Sequence, residues 1–244
     1  MKSIVVRLML MLHSKKDPAS GNRFILEIEE YLGSNEFVII NQAIENETAD
    51  VIGDAKTAKE TAVKIFYYIR NASFIFGPPT LRTSVEVLER FNHGKSDHCI
   101  GKVVLQAAML RAAKIPVRFR YLTFPISGWI DNKLFLGKAK GQLSYHPYIE
   151  VYLDGRWIAC DATVDPTLKE PWICNEWDGE KSVKLQIPDV DCVETDFVSP
   201  HLPLEGIKDL ITRYKNAFPL PLRPFAFKIG EWIISRDMDK FRRA

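Results

Sequence analysis

The sequence predicts an α+β fold in which helices come first and an antiparallel sheet follows. Up to about Pro116, apolar residues recur with the period of a helix, whereas from Val117 they alternate with polar ones, which is typical of a strand. The segment 146–163 then contains two strand-like runs on either side of Asp154-Gly155, a dipeptide that favours a two-residue hairpin turn. We therefore expect a helical layer that packs on a sheet containing this hairpin.

Length and composition indicate one globular domain. The chain has 244 residues, of which 46% are hydrophobic and 26% are charged, so it is long enough to bury a core of its own. Its 33 basic and 31 acidic residues are interspersed, and this balance gives no basic surface for a nucleic-acid partner. We expect a single domain over residues 1–244, and the sequence does not indicate an oligomeric state.

The cellular location is inferred from the N-terminus and from the apolar runs. Arg7 interrupts the apolar stretch near the start, and no small-residue cleavage site follows, so we interpret residues 1–18 as a strand or short helix. No run approaches the roughly 20 apolar residues that a membrane span needs. We expect a cytoplasmic protein that does not bind a membrane.

The cysteines do not predict a disulfide framework or a metal centre. There are four cysteines in the chain, and none of them forms a C-x-x-C pair. A structural zinc site is therefore not indicated, and we expect neither a metal nor another cofactor.

The first part of the chain, about residues 1–92, is predicted to be helical. An amphipathic segment spans 20–32, and two later helices begin with capping boxes, Thr57 with Glu60 and Thr83 with Glu86. The breaker "FGPP" at 76–79 separates these two helices.

The second part, about 93–166, contains the motifs that indicate chemistry. A helix begins near Cys99, with Ser96 and Asp97 as candidate N-cap residues, and it ends before Ile115-Pro116. A strand over 117–124 and the hairpin follow. The third part, about 167–244, is irregular up to about 203 and then helical, with helices predicted at 204–214 and at about 225–241.

The hairpin turn places a histidine and an aspartate on one face of the sheet. With Asp154-Gly155 as the loop, Leu153 pairs with Arg156, and His146 then lies one diagonal step from Asp161. Such diagonal neighbours are roughly 7–8 Å apart, which long side chains can span. The carboxylate would orient the imidazole and favour its protonated form. The alternative is that both are surface or capping residues near strand ends.

Cys99 is a candidate nucleophile because of its place in the chain. In the first turn of a helix, the dipole and free N–H groups favour thiolate over thiol and can stabilise an oxyanion. A nearby His146 would complete a thiolate–imidazolium pair. One alternative is a small buried hydrophobic side chain. Another is a metal site that includes His98 and Cys160, although Cys160 alternates to the opposite face of the hairpin from Asp161.

The order of these motifs resembles the transglutaminase-like superfamily of cysteine enzymes. The matching text is "CIGKVVLQAAMLRAAKIPVRFR" followed by "HPYIEVYLDGRWIACDAT". The resemblance is tightest over about 99–166 and extends loosely back through the helix "AVKIFYYIRN". Two positions depart from the family pattern: Lys114 stands where the family usually has glycine, and His98 precedes the cysteine.

The resemblance implies a papain-like, transglutaminase-core arrangement, in which a helix carrying the nucleophile packs on an antiparallel sheet, with extra N- and C-terminal helices. It implies Cys99 as nucleophile, His146 as acid and base, and Asp161 as the residue that orients His146. His98 and Tyr148 are candidate substrate contacts. The expected reaction is hydrolysis of an amide or peptide bond in a peptide or protein substrate, through a thioester on Cys99. The alternatives are transfer of the acyl group to an amine, and an inactive binding module.

Overall fold

A computed structural model describes residues 28–75, 80–125, 143–169, 172–186, 190–216 and 220–225, together with residues 228, 229, 232 and 242. The elements predicted for residues 1–18, 20–32 and about 225–241 lie wholly or mostly outside this part of the chain. Within it, helices and a four-stranded antiparallel sheet form the α+β arrangement that the sequence predicts.

In the described part of the chain, three helices lie between residue 42 and the segment that begins at Cys99. They are α1 Gln42–Ile52, α2 Ala58–Asn71 and α3 Ser84–Asn92. The two predicted capping boxes are confirmed, because Thr57 and Thr83 each exchange hydrogen bonds with the glutamate three residues later.

The central helix, α4 Cys99–Ala112, is buried along its whole length. Every residue from Ile100 to Arg111 is buried, because α4 packs against α1, α2 and α3 as well as strand β2 (residues 143–153). The run behind Cys99 is therefore buried all round rather than on one stripe, as expected for a helix enclosed by other elements, and three polar residues, Lys102, Gln106 and Arg111, are buried with it.

The sheet consists of β1 Val117–Pro125, β2 Leu143–Leu153, β3 Arg156–Cys160 and the short β4 Val193–Glu194, in the order β3-β2-β1-β4. The predicted hairpin register is confirmed, with Leu153 opposite Arg156 and the ladder running to the pair Ile149 and Cys160. Asp154 and Gly155 have φ values of 49° and 84°, which suit the tight turn that the dipeptide predicts.

The segment after the hairpin is irregular apart from β4, and aromatic side chains anchor it to α2 and to the chain that follows α2. The Trp172 ring meets the Phe74 ring at 5.4 Å between centroids, and the Trp177 ring lies 5.5 Å from that of Phe66. Helix α5 Leu204–Asn216 follows and contacts β2. Within the described residues, no helix combines the length and the apolar character needed to cross a bilayer.

The end of α4 suggests a stabilising substitution. Lys114 is exposed and adopts a φ of 64°, in the left-handed region where a Cβ atom is unfavourable. We expect Lys114→Gly to raise the free energy of unfolding by about 0.5–1 kcal/mol, since relief of this strain outweighs the extra freedom of glycine in the unfolded chain. Urea denaturation measures the change. Lys114→Ala keeps the Cβ and is the control. Equal stability of the two variants would show that the Cβ at position 114 causes no strain.

Candidate active site

Cys99 is the first residue of α4, so its backbone N–H belongs to the helix terminus and has no partner inside the helix. The expected N-cap role of Ser96 or Asp97 is wrong, because the N-cap residue is His98, whose side chain does not cap the helix. Asp97 instead pairs through its backbone with the chain after α2: its N–H donates to Ser73 and its carbonyl accepts from Ile75. This extended pairing delays the start of the helix.

The carboxylate of Asp97 is buried behind the helix terminus. It lies 3.2 Å from a guanidinium nitrogen of Arg82 and 3.0 Å from Nε of Arg90, and its Oδ1 accepts the backbone N–H of His98 at 2.8 Å. Gly101 allows this carboxylate to lie against α4, since a Cβ there would be 2.4 Å from Oδ1. This support was not predicted, although aspartate and glycine stand four residues apart around the cysteine in the sequence.

His146 and Asp161 come together as the hairpin register predicts. Nε2 of His146 lies 2.7 Å from Oδ2 of Asp161, and both side chains are buried. Oδ1 of Asp161 accepts the N–H of Thr163 at 3.1 Å, which holds the carboxylate in place. Because Asp161 occupies Nε2, the other ring nitrogen of His146, Nδ1, is the one available to the Cys99 thiol, with which the ring shares a hydrogen bond.

The charges of these three groups depend on one another. Burial raises the pKa of the Cys99 thiol, but the hydrogen bond and charge of His146, together with the neighbouring His98, outweigh it and lower that pKa to about 7. Burial lowers the pKa of His146, whereas the charge and hydrogen bond of Asp161 and the contact with Cys99 raise it to about 10. Burial also raises the pKa of Asp161, and the neighbouring His146 brings it below its ordinary value. Between pH values of about 7 and about 10, Cys99 is a thiolate and His146 is an imidazolium. Because the two groups titrate together, both pKa values are properties of the pair.

The two residues predicted to contact substrate lie at different places around this group. His98 is buried beside Cys99, and its Nε2 faces Thr80. Tyr148 is 1% exposed, and its hydroxyl has no hydrogen-bond partner among the described residues. Its ring lies 5.9 Å from Nζ of Lys184. A substrate contact by either residue stays a prediction.

An apolar cluster lies next to the thiol. Cys99 packs against buried side chains from the sheet and from the segment after it, among them Leu122, Phe124, Trp172 and Leu185. This wall shields one side of the partly exposed thiol, and such shielding strengthens the electrostatic interactions inside the site.

Lys102, one turn along α4 from Cys99, is a buried charged group that the sequence analysis did not single out. Its ammonium donates to the carbonyl of Ala72 at 2.7 Å and lies 3.3 Å from that of Arg70. Burial lowers the pKa of Lys102 to about 7, even though Asp165 and Asp161 act to raise it. A lysine in an otherwise apolar helical run was the available signal.

The geometry offers no support for the metal alternative. Within the described ranges, no group of three or more histidine, cysteine, aspartate or glutamate side chains is placed to hold an ion. Cys160 belongs to the main core on the opposite face from Asp161 and accepts a hydrogen bond from Nε2 of Gln106 at 3.0 Å.

A cysteine at the start of a buried helix lies beside a histidine on an antiparallel sheet and an aspartate just after one of its strands. This is the arrangement that the family resemblance implies. Residues 46–162 match the model of the transglutaminase-like superfamily, the family that the sequence motifs resemble.

Two solved structures are similar to part of the chain. One, named a "putative cysteine protease" from Cytophaga hutchinsonii, is 19% identical with a TM-score of 0.43, over 56% of this chain and 42% of its own. Another, named a "putative protease" from Parabacteroides distasonis, is 15% identical with a TM-score of 0.37, over 58% of this chain and 26% of its own. The chain thus spans less than half the length of either structure. A search of curated proteins gives no match.

Proposed function

We propose that the protein is a cysteine-dependent acyl-transfer enzyme that hydrolyses an amide or peptide bond in a peptide or protein substrate. The observation that carries this proposal is the buried series of contacts from Cys99 to His146 and from His146 to Asp161 at the start of a helix. A thiolate held against an imidazolium is an activated nucleophile with its proton donor already in place.

In the first step, the thiolate of Cys99 attacks the carbonyl carbon of the amide. The carbon–sulfur bond forms as the carbonyl π electrons move to oxygen, and the backbone N–H of Cys99 at the helix terminus stabilises the oxyanion. Nδ1 of His146 then gives its proton to the amide nitrogen. The carbon–nitrogen bond breaks, the amine leaves, and a thioester on Cys99 remains.

In the second step, the now neutral His146 takes a proton from water. The hydroxide equivalent adds to the thioester carbon, the carbon–sulfur bond breaks, and the carboxylic acid leaves. Cys99 returns as the thiolate and His146 as the imidazolium. Asp161 stays ionised throughout and keeps Nε2 protonated, so that Nδ1 remains the nitrogen that exchanges the proton.

Thiol reactivity and acyl-enzyme trapping test this function on the unmodified protein. We expect iodoacetamide at pH 7 to alkylate Cys99 faster than the other three cysteines, because burial raises the pKa of Cys160 and of Cys174 whereas that of Cys99 is lowered. Incubation with a panel of peptide amides, followed by acid quenching and mass spectrometry, should then find an acyl group on the peptide that contains Cys99.

The two measurements have separate outcomes. Slow alkylation of Cys99 relative to Cys192 would remove the activated nucleophile and with it the proposal. Fast alkylation without acylation or hydrolysis on any amide would favour the binding module. If an added amine takes the acyl group faster than water does, the enzyme is a transferase rather than a hydrolase.

A further inference from the structure

A second imidazole lies beside the nucleophile and has no part in the steps above. His98 is 6% exposed and is held in place at its own backbone, where its N–H donates to Oδ1 of Asp97 at 2.8 Å. As the N-cap residue it directly precedes Cys99. The direction of its ring is therefore set by the same structure that begins the helix.

Thr80 determines which nitrogen of His98 carries the proton. The backbone N–H of Thr80 lies 2.9 Å from Nε2, and its hydroxyl oxygen lies 2.6 Å from the same nitrogen. A backbone N–H can only donate, so Nε2 must be an acceptor. The Thr80 hydroxyl oxygen accepts a hydrogen bond from Arg82. The proton of this hydroxyl is therefore directed to Nε2 of His98 as well. The proton of the neutral ring is then on Nδ1.

The protonated nitrogen needs an acceptor. Nδ1 of His98 is buried, and among the described residues no acceptor meets it with good hydrogen-bond geometry. A buried N–H without a partner is costly. The adjacent sulfur of Cys99 is near enough for His98 to favour its ionised form. A thiolate accepts hydrogen bonds far better than a thiol, so ionisation of Cys99 supplies the missing acceptor.

We propose that His98 is a neutral N–H donor to the Cys99 thiolate, distinct from the acid and base His146. The proposal rests on the proposed role of Cys99 as nucleophile. Because Nε2 is occupied by Thr80, His98 does not exchange a proton during the reaction; it stabilises negative charge on sulfur. It would do so twice in each turnover, in the resting thiolate and again when the thiolate leaves the thioester.

Other charged and titratable groups lie on the elements that form the site, and a substitution at position 98 keeps all of them. They are His146 on β2, Lys102 on α4, Asp161 and Asp165 after β3, the thiols of Cys174 and Cys192, and Asp97 with Arg82 and Arg90 behind His98.

Two isosteric substitutions separate the donor role from a structural one. Asparagine places its amide nitrogen near the position of Nδ1, whereas glutamine places its amide at that of Nε2. We expect His98→Gln to move the midpoint of the alkylation profile of Cys99 to higher pH and to slow alkylation at pH 6.5 by about 10-fold or more, the loss of one hydrogen bond to a charged group. His98→Asn should stay within about 2-fold of the wild type.

The tautomer is measured independently by ¹⁵N NMR of the wild-type protein, which does not depend on the stability of any variant. We expect a protonated Nδ1 and a bare Nε2 on His98. A protonated Nε2, or equal alkylation profiles for the glutamine variant and the wild type, would overturn the proposal. So would equal shifts in both variants, which indicate a structural role. If the profile depends on His98 but no amide is hydrolysed, the donor role stands and the proposed hydrolysis fails.

Discussion

Replacement of His146 by glutamine is expected to lower the rate of amide hydrolysis by about 10²- to 10⁴-fold, the usual contribution of a general acid and base. Glutamine keeps an amide near the position of Nε2 and can still hydrogen-bond to Asp161. It removes the nitrogen that faces Cys99, and with it both the proton donor and the positive charge. Comparison of kcat/KM with the wild type measures the loss, and Cys99→Ala defines the background rate.

The pH dependence of hydrolysis and of alkylation gives a second test of the role of His146. In the wild type, the rate should rise as the pH rises through about 7, where Cys99 loses its proton, and fall as it passes about 10, where His146 loses its own. Without His146, burial still raises the pKa of Cys99 but the main group that lowers this pKa is gone. The rising limb of the alkylation profile therefore moves to higher pH. We expect alkylation at pH 7 to fall by about 10-fold or more.

A surface histidine provides the matched control. His201 is exposed and precedes α5, and His201→Gln should leave both rates within about 2-fold of the wild type, since an exposed imidazole there has no contact with the thiol. Retention of more than a tenth of the wild-type kcat/KM by His146→Gln would show that another base activates Cys99, and the proposed mechanism would then be wrong.

Replacement of Arg111 by methionine is expected to cause a large loss of stability, about 2–4 kcal/mol in the free energy of unfolding. The guanidinium is 1% exposed and donates to three main-chain carbonyls, those of Gly33, Val117 and Pro200, at 2.6–2.9 Å. Methionine fills similar space but leaves these carbonyls, one of them in a buried contact and two in partly buried ones, without this donor. Since they belong to three separate segments, the end of α4 loses its link to all of them.

Urea denaturation of Arg111→Met beside Arg156→Met measures this difference. Arg156 also donates to a main-chain carbonyl, that of Glu180 at 2.9 Å, but it does so at the surface, where water replaces the bond. We expect the Arg156 variant to lose no more than about 0.5 kcal/mol. Equal losses in the two variants would mean that burial of the Arg111 carbonyls does not matter to stability.

Local rules were sufficient for the hairpin and for the His146–Asp161 pair. A two-residue turn with left-handed φ values leaves one register for its strands, and the alternation of side chains then assigns each residue to a face. The pairing of Glu150 with arginines of β1 follows from the same alternation, with Nε of Arg118 at 2.5 Å from its carboxylate. Each of these contacts joins neighbouring strands.

Local rules failed where distant segments compete for the same residue. Asp97 is a good N-cap residue by type, yet its backbone pairs with the chain after α2, and its carboxylate is held by Arg82 and Arg90. The helix therefore begins one residue later than a cap at Asp97 would place it. Sequence patterns describe what a residue favours within its own segment, whereas the energy of a buried carboxylate depends on which charges the fold brings to it.

By itself, the sequence determined the fold class, a helix that begins near Cys99, and the strand register that brings His146 close to Asp161, because helical and strand periods and turn chemistry act over a few residues. Only the tertiary structure decided the roles of Arg111, Lys102 and His98. The proton of His98 is placed by Thr80, which approaches from another part of the chain. Hydrogen-bond partners of buried polar groups are chosen by packing between segments, and such packing leaves no periodic signal in the sequence.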